Sequence, residues 1–202
     1  KMKTHALERV TGGVKNLYGC ISGLHKAKGH TKYTNADIFA RQLIDLNQLI
    51  KPRFCVMDGI VAMDGNGPTS GDPVKMKVLL LGNDPVAIDS VYCHLVHLDP
   101  QMVPTNVHGE TMGLGTWREE NIRLLTDGGE ITMQEAVERF GNPDFNVDRK
   151  KQRGDLWNRF NNGFLRYFQK KPYIEADKCK KCGVCVEACP VEGKALQFKN
   201  GR

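Results

Sequence analysis

The chain has 202 residues, of which 40% are apolar and 26% charged, and a formal net charge of +6. That is enough chain for one sizeable core and a small appendage, and it holds no run of eighteen or more apolar residues of the kind that crosses a bilayer as a helix. The positive excess sits in one place, since between Asp148 and Pro172 eight Lys and Arg residues face only Asp148 and Asp155; a diffuse nucleic-acid footprint, and a nucleic-acid partner, are not expected.

In chain order, Lys3 and His5 come first, on alternate positions that share one face if the segment is extended. Residues 34–50, TNADIFARQLIDLNQLI, place Ile38, Phe39, Leu43, Leu46, Leu49 and Ile50 near helical spacing and predict an amphipathic helix stopped by Lys51 and Pro52. FCVM at 54–57 and KVLLL at 77–81 are short, apolar and bounded by Gly, Asp and Pro, which predicts buried strands around a glycine-rich loop, DGIVAMDGNGPTSGDP. Asp84 can cap a helix with Pro85 in its first turn, predicted to run from Val86 to Leu98. Asn121 to Leu125 reads as a strand, and Thr132 to Glu135 as a capping box opening a helix through Phe140, stopped by Gly141-Asn142-Pro143.

Strands alternating with helices predict an α/β fold over residues 1–147, a mostly parallel sheet flanked by helices. Residues 148–172 read as a basic amphipathic connector helix in which Leu156, Phe160, Phe164 and Phe168 recur every four residues. Such a stripe is ordinarily core, so membrane contact through 156–168 is the less expected reading. Residues 173–202 read as a small C-terminal ferredoxin-like half domain.

The half domain rests on KCKKCGVCVEACP. Cys179, Cys182, Cys185 and Cys189 follow the C-x2-C-x2-C-x3-C-P spacing, in which three thiolates hold one [4Fe-4S] cluster and the fourth cysteine serves a second cluster in two-cluster ferredoxins. The remaining ligand then comes from a matching cysteine run in a longer native chain, from Cys189 folding back, or from Cys20, Cys55 or Cys93; the first is the most economical. A second cluster is expected only in such a longer chain. Zinc or a structural metal is the alternative, although zinc sites normally separate two C-x2-C pairs by a longer loop. Clustered metal-binding cysteines favour a reducing, cytoplasmic setting, and the scattered Cys20, Cys55 and Cys93 read as small buried hydrophobes. His94 and His97, beside Cys93, have metal-ligand spacing on a helix, but their apolar neighbours fit a core helix more simply.

These stretches, namely KMKTH, VTGGVKNLYGC, MDGIVAMDGNGPTSGDP, NDPVAIDS and the terminal cysteine run, together resemble the domain-of-unknown-function family three-six-two. The resemblance implies an α/β domain joined to a C-terminal two-cluster [4Fe-4S] ferredoxin domain, and a native chain longer at both ends. It implies no reaction, so the site must be read from residues. His5 is a possible acid or base, Lys3 and Lys15 are cations for an anionic group, Asp58 and Asp64 are carboxylates, and Asn16, Asn66 and Gly67 are ligand-binding candidates. Asp-Gly pairs are also common turn formers, and a lone His is more often structural. The loop matches neither a Walker motif nor a dinucleotide fingerprint. The expected function is electron transfer through the cluster to or from chemistry on a small anionic ligand. A non-catalytic accessory protein that docks a redox partner is the alternative.

Overall fold

The structure is a computed structural model that describes residues 1–5, 8–23, 25–26, 35–150 and 178–188. It divides into two units, Lys1–Arg149 and Lys150–Arg202. The chain starts inside the sheet framework of the first unit: the Met2 amide donates to the Asp58 carbonyl at 2.8 Å, the Met63 amide donates to the Met2 carbonyl at 3.1 Å, and Lys3 forms an isolated parallel bridge with Met63. Strands β1 (Thr4–His5) and β2 (Arg9–Val10) pair antiparallel, and α1 (Gly13–Asn16) follows at once.

Helix α2 (Ala36–Ile50) begins where its sequence predicts, because the Asn35 side chain accepts the amides of Asp37 and Ile38 at 2.8 and 3.2 Å. It buries Phe39, Ala40, Leu43 and Ile44 and ends at Lys51 in the left-handed conformation. Ile38, Leu49 and Ile50, counted in the predicted apolar stripe, are exposed. The Phe39 ring meets Tyr18 edge-on, 5.1 Å between centroids, in a small core with Val14 and Val86.

The two predicted strands exist as β3 (Cys55–Gly59) and β6 (Val78–Gly82), but they pair antiparallel, with Val56 opposite Leu81 and Gly59 opposite Val78. All four strand pairs among the described residues are antiparallel, which corrects the expected mostly parallel sheet. The physical reason lies in the connection. Parallel neighbours need a crossover, usually a helix, whereas residues 60–77 hold only a second antiparallel pair, β4 (Ala62–Asp64) with β5 (Asp72–Val74), inside the glycine-rich loop. The strands are also buried on one face only: Met57 points into the core, while Val56 and Leu81 are each 60% exposed.

Asp84 caps α3 (Pro85–Leu95), accepting the amides of Val86 and Ala87. Every residue of α3 except Ala87 and His94 is buried, as expected of a helix apolar on all sides. It stops three residues before the predicted Leu98 because the chain turns back: the amides of Val96 and Leu98 both donate to the Cys93 carbonyl, and His97 is left-handed. His94 and His97 therefore do not share a helix face. Beyond α3 come α4 (Pro104–Thr111), the hairpin of β7 (Leu124–Thr126) with β8 (Gly129–Ile131), and α5 (Met133–Phe140), whose Thr132–Glu135 capping box forms as predicted. Met2, Met57, Val91, Tyr92, Val103 and Phe145 share the larger core.

Of the scattered cysteines, Cys93 is buried as expected, Cys55 is partly buried, and Cys20 is exposed at the end of a 3₁₀ turn, which corrects its reading as a core residue. In the second unit the described residues form one short helix, α6 (Val184–Glu187). The connector from residue 151 on, Cys189 and the segment from Gly193 to Arg202 lie outside the described residues.

Candidate functional site

The glycine-rich loop folds back over β1. The Thr4 hydroxyl donates to the Gly65 carbonyl at 3.0 Å and accepts the Gly67 amide at 3.2 Å. Gly67 packs so closely on this strand that a Cβ would run into the Thr4 carbonyl, so only glycine fits here. Asp64 is buried, and its carboxylate accepts the Asn146 amide at 2.8 Å while the Gly65 amide donates to the Asn146 carbonyl at 2.8 Å. Asp64 thus fastens the segment after Phe145 against the loop.

Between these walls lies a cavity of about 170 Å³ lined by Thr4, His5 and Arg9 from the first strand pair, Gly65 to Gly67 from the loop, and Val147 and Asp148. The Arg9 guanidinium donates to the carbonyls of Asp148 and Met102, so it both closes the wall and places a fixed positive charge there. Among the predicted residues, His5, Asn66 and Gly67 meet at this cavity.

Lys15 is not in the lining but stands directly behind it. Its Nζ meets His5 Nε2 and lies over the Phe39 ring, 5.1 Å from the centroid. Burial pushes the Lys15 amine down to about 8, with Glu8 pulling it back up and Lys3 and Lys26 pushing further down. Glu8 itself is wholly buried; the Thr105 backbone N–H favours its ionised form, but neither carboxylate oxygen makes a full hydrogen bond. Burial raises its pKa to about 8, against the pull of Lys15. Lys3 lies in the same positive neighbourhood, on the strand edge beside Met63.

Two predicted residues stand elsewhere. Asp58 is half-exposed near the end of β3, 3.6 Å from the Lys1 side-chain amine, and caps the turn by accepting the Ile60 amide at 2.9 Å, a contact that lowers its pKa. Asn16 is exposed at the end of α1 and is absent from the cavity lining.

Sequence reasoning passed over Glu8, Arg9 and Asp89. Asp89 lies wholly buried on α3, where its carboxylate accepts the amides of Gly12, Gly13 and Val14 and so anchors α1, the element that carries Lys15. Burial still raises its pKa to about 6, the three N–H donors pulling it down. A signal for Asp89 existed, because a lone carboxylate in an apolar helix is buried and must find partners. Glu8 carried no such mark.

In the second unit Cys179 is partly buried and Cys182 and Cys185 are exposed, and all three are free thiols. Gly183, at φ +78°, turns the chain between them, and α6 starts there with the Val186 and Glu187 amides donating back to the Gly183 carbonyl. Among the described residues no three His, Cys, Asp or Glu side chains converge on a metal position. The chemistry of the donor set nevertheless suits the cluster: accessible thiols outside any disulfide are the soft ligands that iron-sulfur groups take.

Comparison with known proteins agrees with this division. Residues 1–94, which run from β1 to one residue short of the end of α3, match the family described as Domain of unknown function (DUF362), and residues 170–191, which hold all four clustered cysteines, match the 4Fe-4S binding domain, so the cofactor is a [4Fe-4S] cluster. The chain is 39% identical to the thylakoid-associated protein sll1697 of Synechocystis sp. over 134 residues, 66% of this chain and 42% of that relative. It therefore spans less than half the length of the relative. No solved structure matches it. No helix among the described residues is long and apolar enough to cross a membrane. With a 4Fe-4S binding domain at residues 170–191, the chain is an iron-sulfur protein, and its residues 1–94 match DUF362.

Proposed function

We propose that this protein transfers electrons through its [4Fe-4S] cluster to or from chemistry on a small anionic ligand held in the cavity at His5. The observation that carries the reading is the cavity itself. A concave space of about 170 Å³ holds one small oxyanion or carboxylate, with Arg9 and His5 in its wall. Cys179, Cys182 and Cys185 are the ligands we assign to the cluster, with Cys189 serving a second one. When bound, the cluster supplies one-electron transfer. The chain's own part is to fix the ligand between β1 and the glycine-rich loop, balance its charge with Arg9, and exchange protons at His5. A reducing compartment, the cytoplasm or its equivalent, suits thiol ligands of this kind.

The exposed apolar residues Val56, Leu79 and Leu81 on the outer face of β3 and β6 favour a second reading, in which the first unit docks a redox protein and performs no chemistry.

Anaerobic iron and acid-labile sulfide quantitation, with EPR of the reduced protein, tests the electron-transfer half. Loss of the signal in Cys182→Ser is expected, and an undiminished signal in that variant overturns the ligand assignment. Calorimetric titration with formate, acetate and inorganic phosphate tests the cavity. Saturable binding of one of them, weakened roughly tenfold in His5→Gln as for one lost polar contact, is expected. Absence of binding by all three leaves the docking reading in possession.

A further inference from the structure

His5 belongs to two environments at once. The residue lines the cavity, and its Nε2 meets the Lys15 amine. Two cations do not rest in contact in a buried place, so this pair holds at most one positive charge and shares the proton between the ring nitrogen and the amine. Glu8 is wholly buried and coupled to Lys15 through space, and the Thr105 backbone N–H acts on it more weakly. A buried carboxylate with so little hydrogen bonding stays protonated unless a cation faces it, and Lys15 is the cation that acts on it most strongly. The protonation states of Glu8, Lys15 and His5 are therefore tied together.

We propose that His5, Lys15 and Glu8 form a proton relay that opens into the cavity, with His5 as the group that exchanges a proton with the bound ligand. The proposal rests on the reading of the cavity as the ligand site and names what that site does. In the forward step the ligand gives its proton to the cavity side of the His5 ring, and the ring releases the Nε2 proton to the neutral Lys15 amine. The ligand leaves as its anion, His5 ends neutral as it began, and the new charge is the Lys15 ammonium. The reverse step delivers a proton to a ligand made more basic by reduction. Lys15 and Glu8 are positioning residues, acting on the ligand through His5 alone.

The charged groups around the relay favour this division of labour. Lys3 and Lys26 act against a charge on Lys15 and Glu8 acts for it; Asp37 and Asp89 act against a charge on Glu8. Across the strand pair, Arg9 stands opposite His5 and adds a fixed positive charge to the same cavity wall. The amine and the carboxylic acid both change state at about 8, close enough to neutral pH for the proton to move either way.

The test is NMR of the full-length protein with ¹⁵N-labelled histidine, the His5 signals being identified by their loss in His5→Gln. A titration from about pH 5.5 to 9.5 should show an inflection of the His5 ring nitrogens near pH 8, coupled from Lys15. Lys15→Met should abolish it, and Glu8→Gln should move it to lower pH, because the carboxylate that favours the ammonium is gone. If Lys15→Met fails to fold, Lys15→Arg keeps a long stem over Phe39 with a permanent charge, and it too should remove the inflection. A His5 titration unchanged in folded Lys15 variants overturns the relay. Added formate or inorganic phosphate separates the two readings. A Lys15-dependent inflection with no saturable shift of His5 by either anion upholds the relay and removes the anionic-ligand reading. A saturable shift without the inflection upholds the ligand site and removes the relay.

Discussion

Replacing Asp89 with Asn sets two opposed forces on one buried carboxylate against each other. Oδ1 accepts the Gly12 and Gly13 amides at 3.1 and 2.6 Å, and Oδ2 accepts the Val14 amide at 3.1 Å. These donors favour the ionised form, but complete burial opposes it more strongly and raises the pKa from 3.8 to about 6. At 1.36 kcal/mol per pH unit, ionising Asp89 in the folded protein costs about 3 kcal/mol more than in the unfolded chain. Because the folded-state pKa is the higher one, the stability that the protonated group contributes is complete below pH 3.8 and is lost as pH rises through about 6. Asparagine has the shape of the protonated carboxyl and no titration; its NH₂ group faces one of the amide donors, a pH-independent loss of about 1–3 kcal/mol. Urea denaturation of wild type and Asp89→Asn at a series of pH values should therefore show wild type ahead at about pH 4 and its lead shrinking by about 3 kcal/mol by about pH 7. A lead that grows over that range would mean that the three hydrogen bonds outweigh desolvation, and the reasoning about Asp89 fails.

Arg149, read from the sequence as part of the basic connector at residues 148–172, donates to four carbonyls, those of Val96, His97, Pro143 and Phe145, and ties the end of α3 to the segment that walls the cavity. A lysine cannot span that arc, so Arg149→Lys should lose about 2 kcal/mol of stability and raise amide exchange around Phe145; unchanged exchange would show the clamp to be idle. Thr132→Ala removes one half of the capping box on α5, and a loss of about 1 kcal/mol in the denaturation midpoint is expected, with faster exchange at the Glu135 amide. A loss indistinguishable from zero would place the stability of α5 in its packing alone.

What the sequence by itself determined is what neighbours within about four residues decide. Asp84 with Pro85 starts α3, Thr132 with Glu135 starts α5, and Asn35 starts α2, because a cap is a hydrogen bond between a side chain and the next turn. The cysteine spacing likewise names its cofactor class, since thiolates at two-residue gaps are themselves the ligand set. His5, Asn66 and Gly67 were legible as candidates because their residue types suit a polar site.

Strand direction was not, because β3 and β6 pair through a connection whose own hairpin had to be known first. Nor was the chemistry around His5. Glu8 and Lys15 change acidity only because both are desolvated, and α1 holds Lys15 in place only because Asp89, far along the chain on α3, accepts its first amides. Asp58 fitted the sequence pattern as well as Asp64 did, yet it faces solvent beside Lys1 while Asp64 is buried against Asn146. Burial and the charges that share it are sums over residues distant in the chain, so the tertiary structure alone decided which groups meet at the cavity.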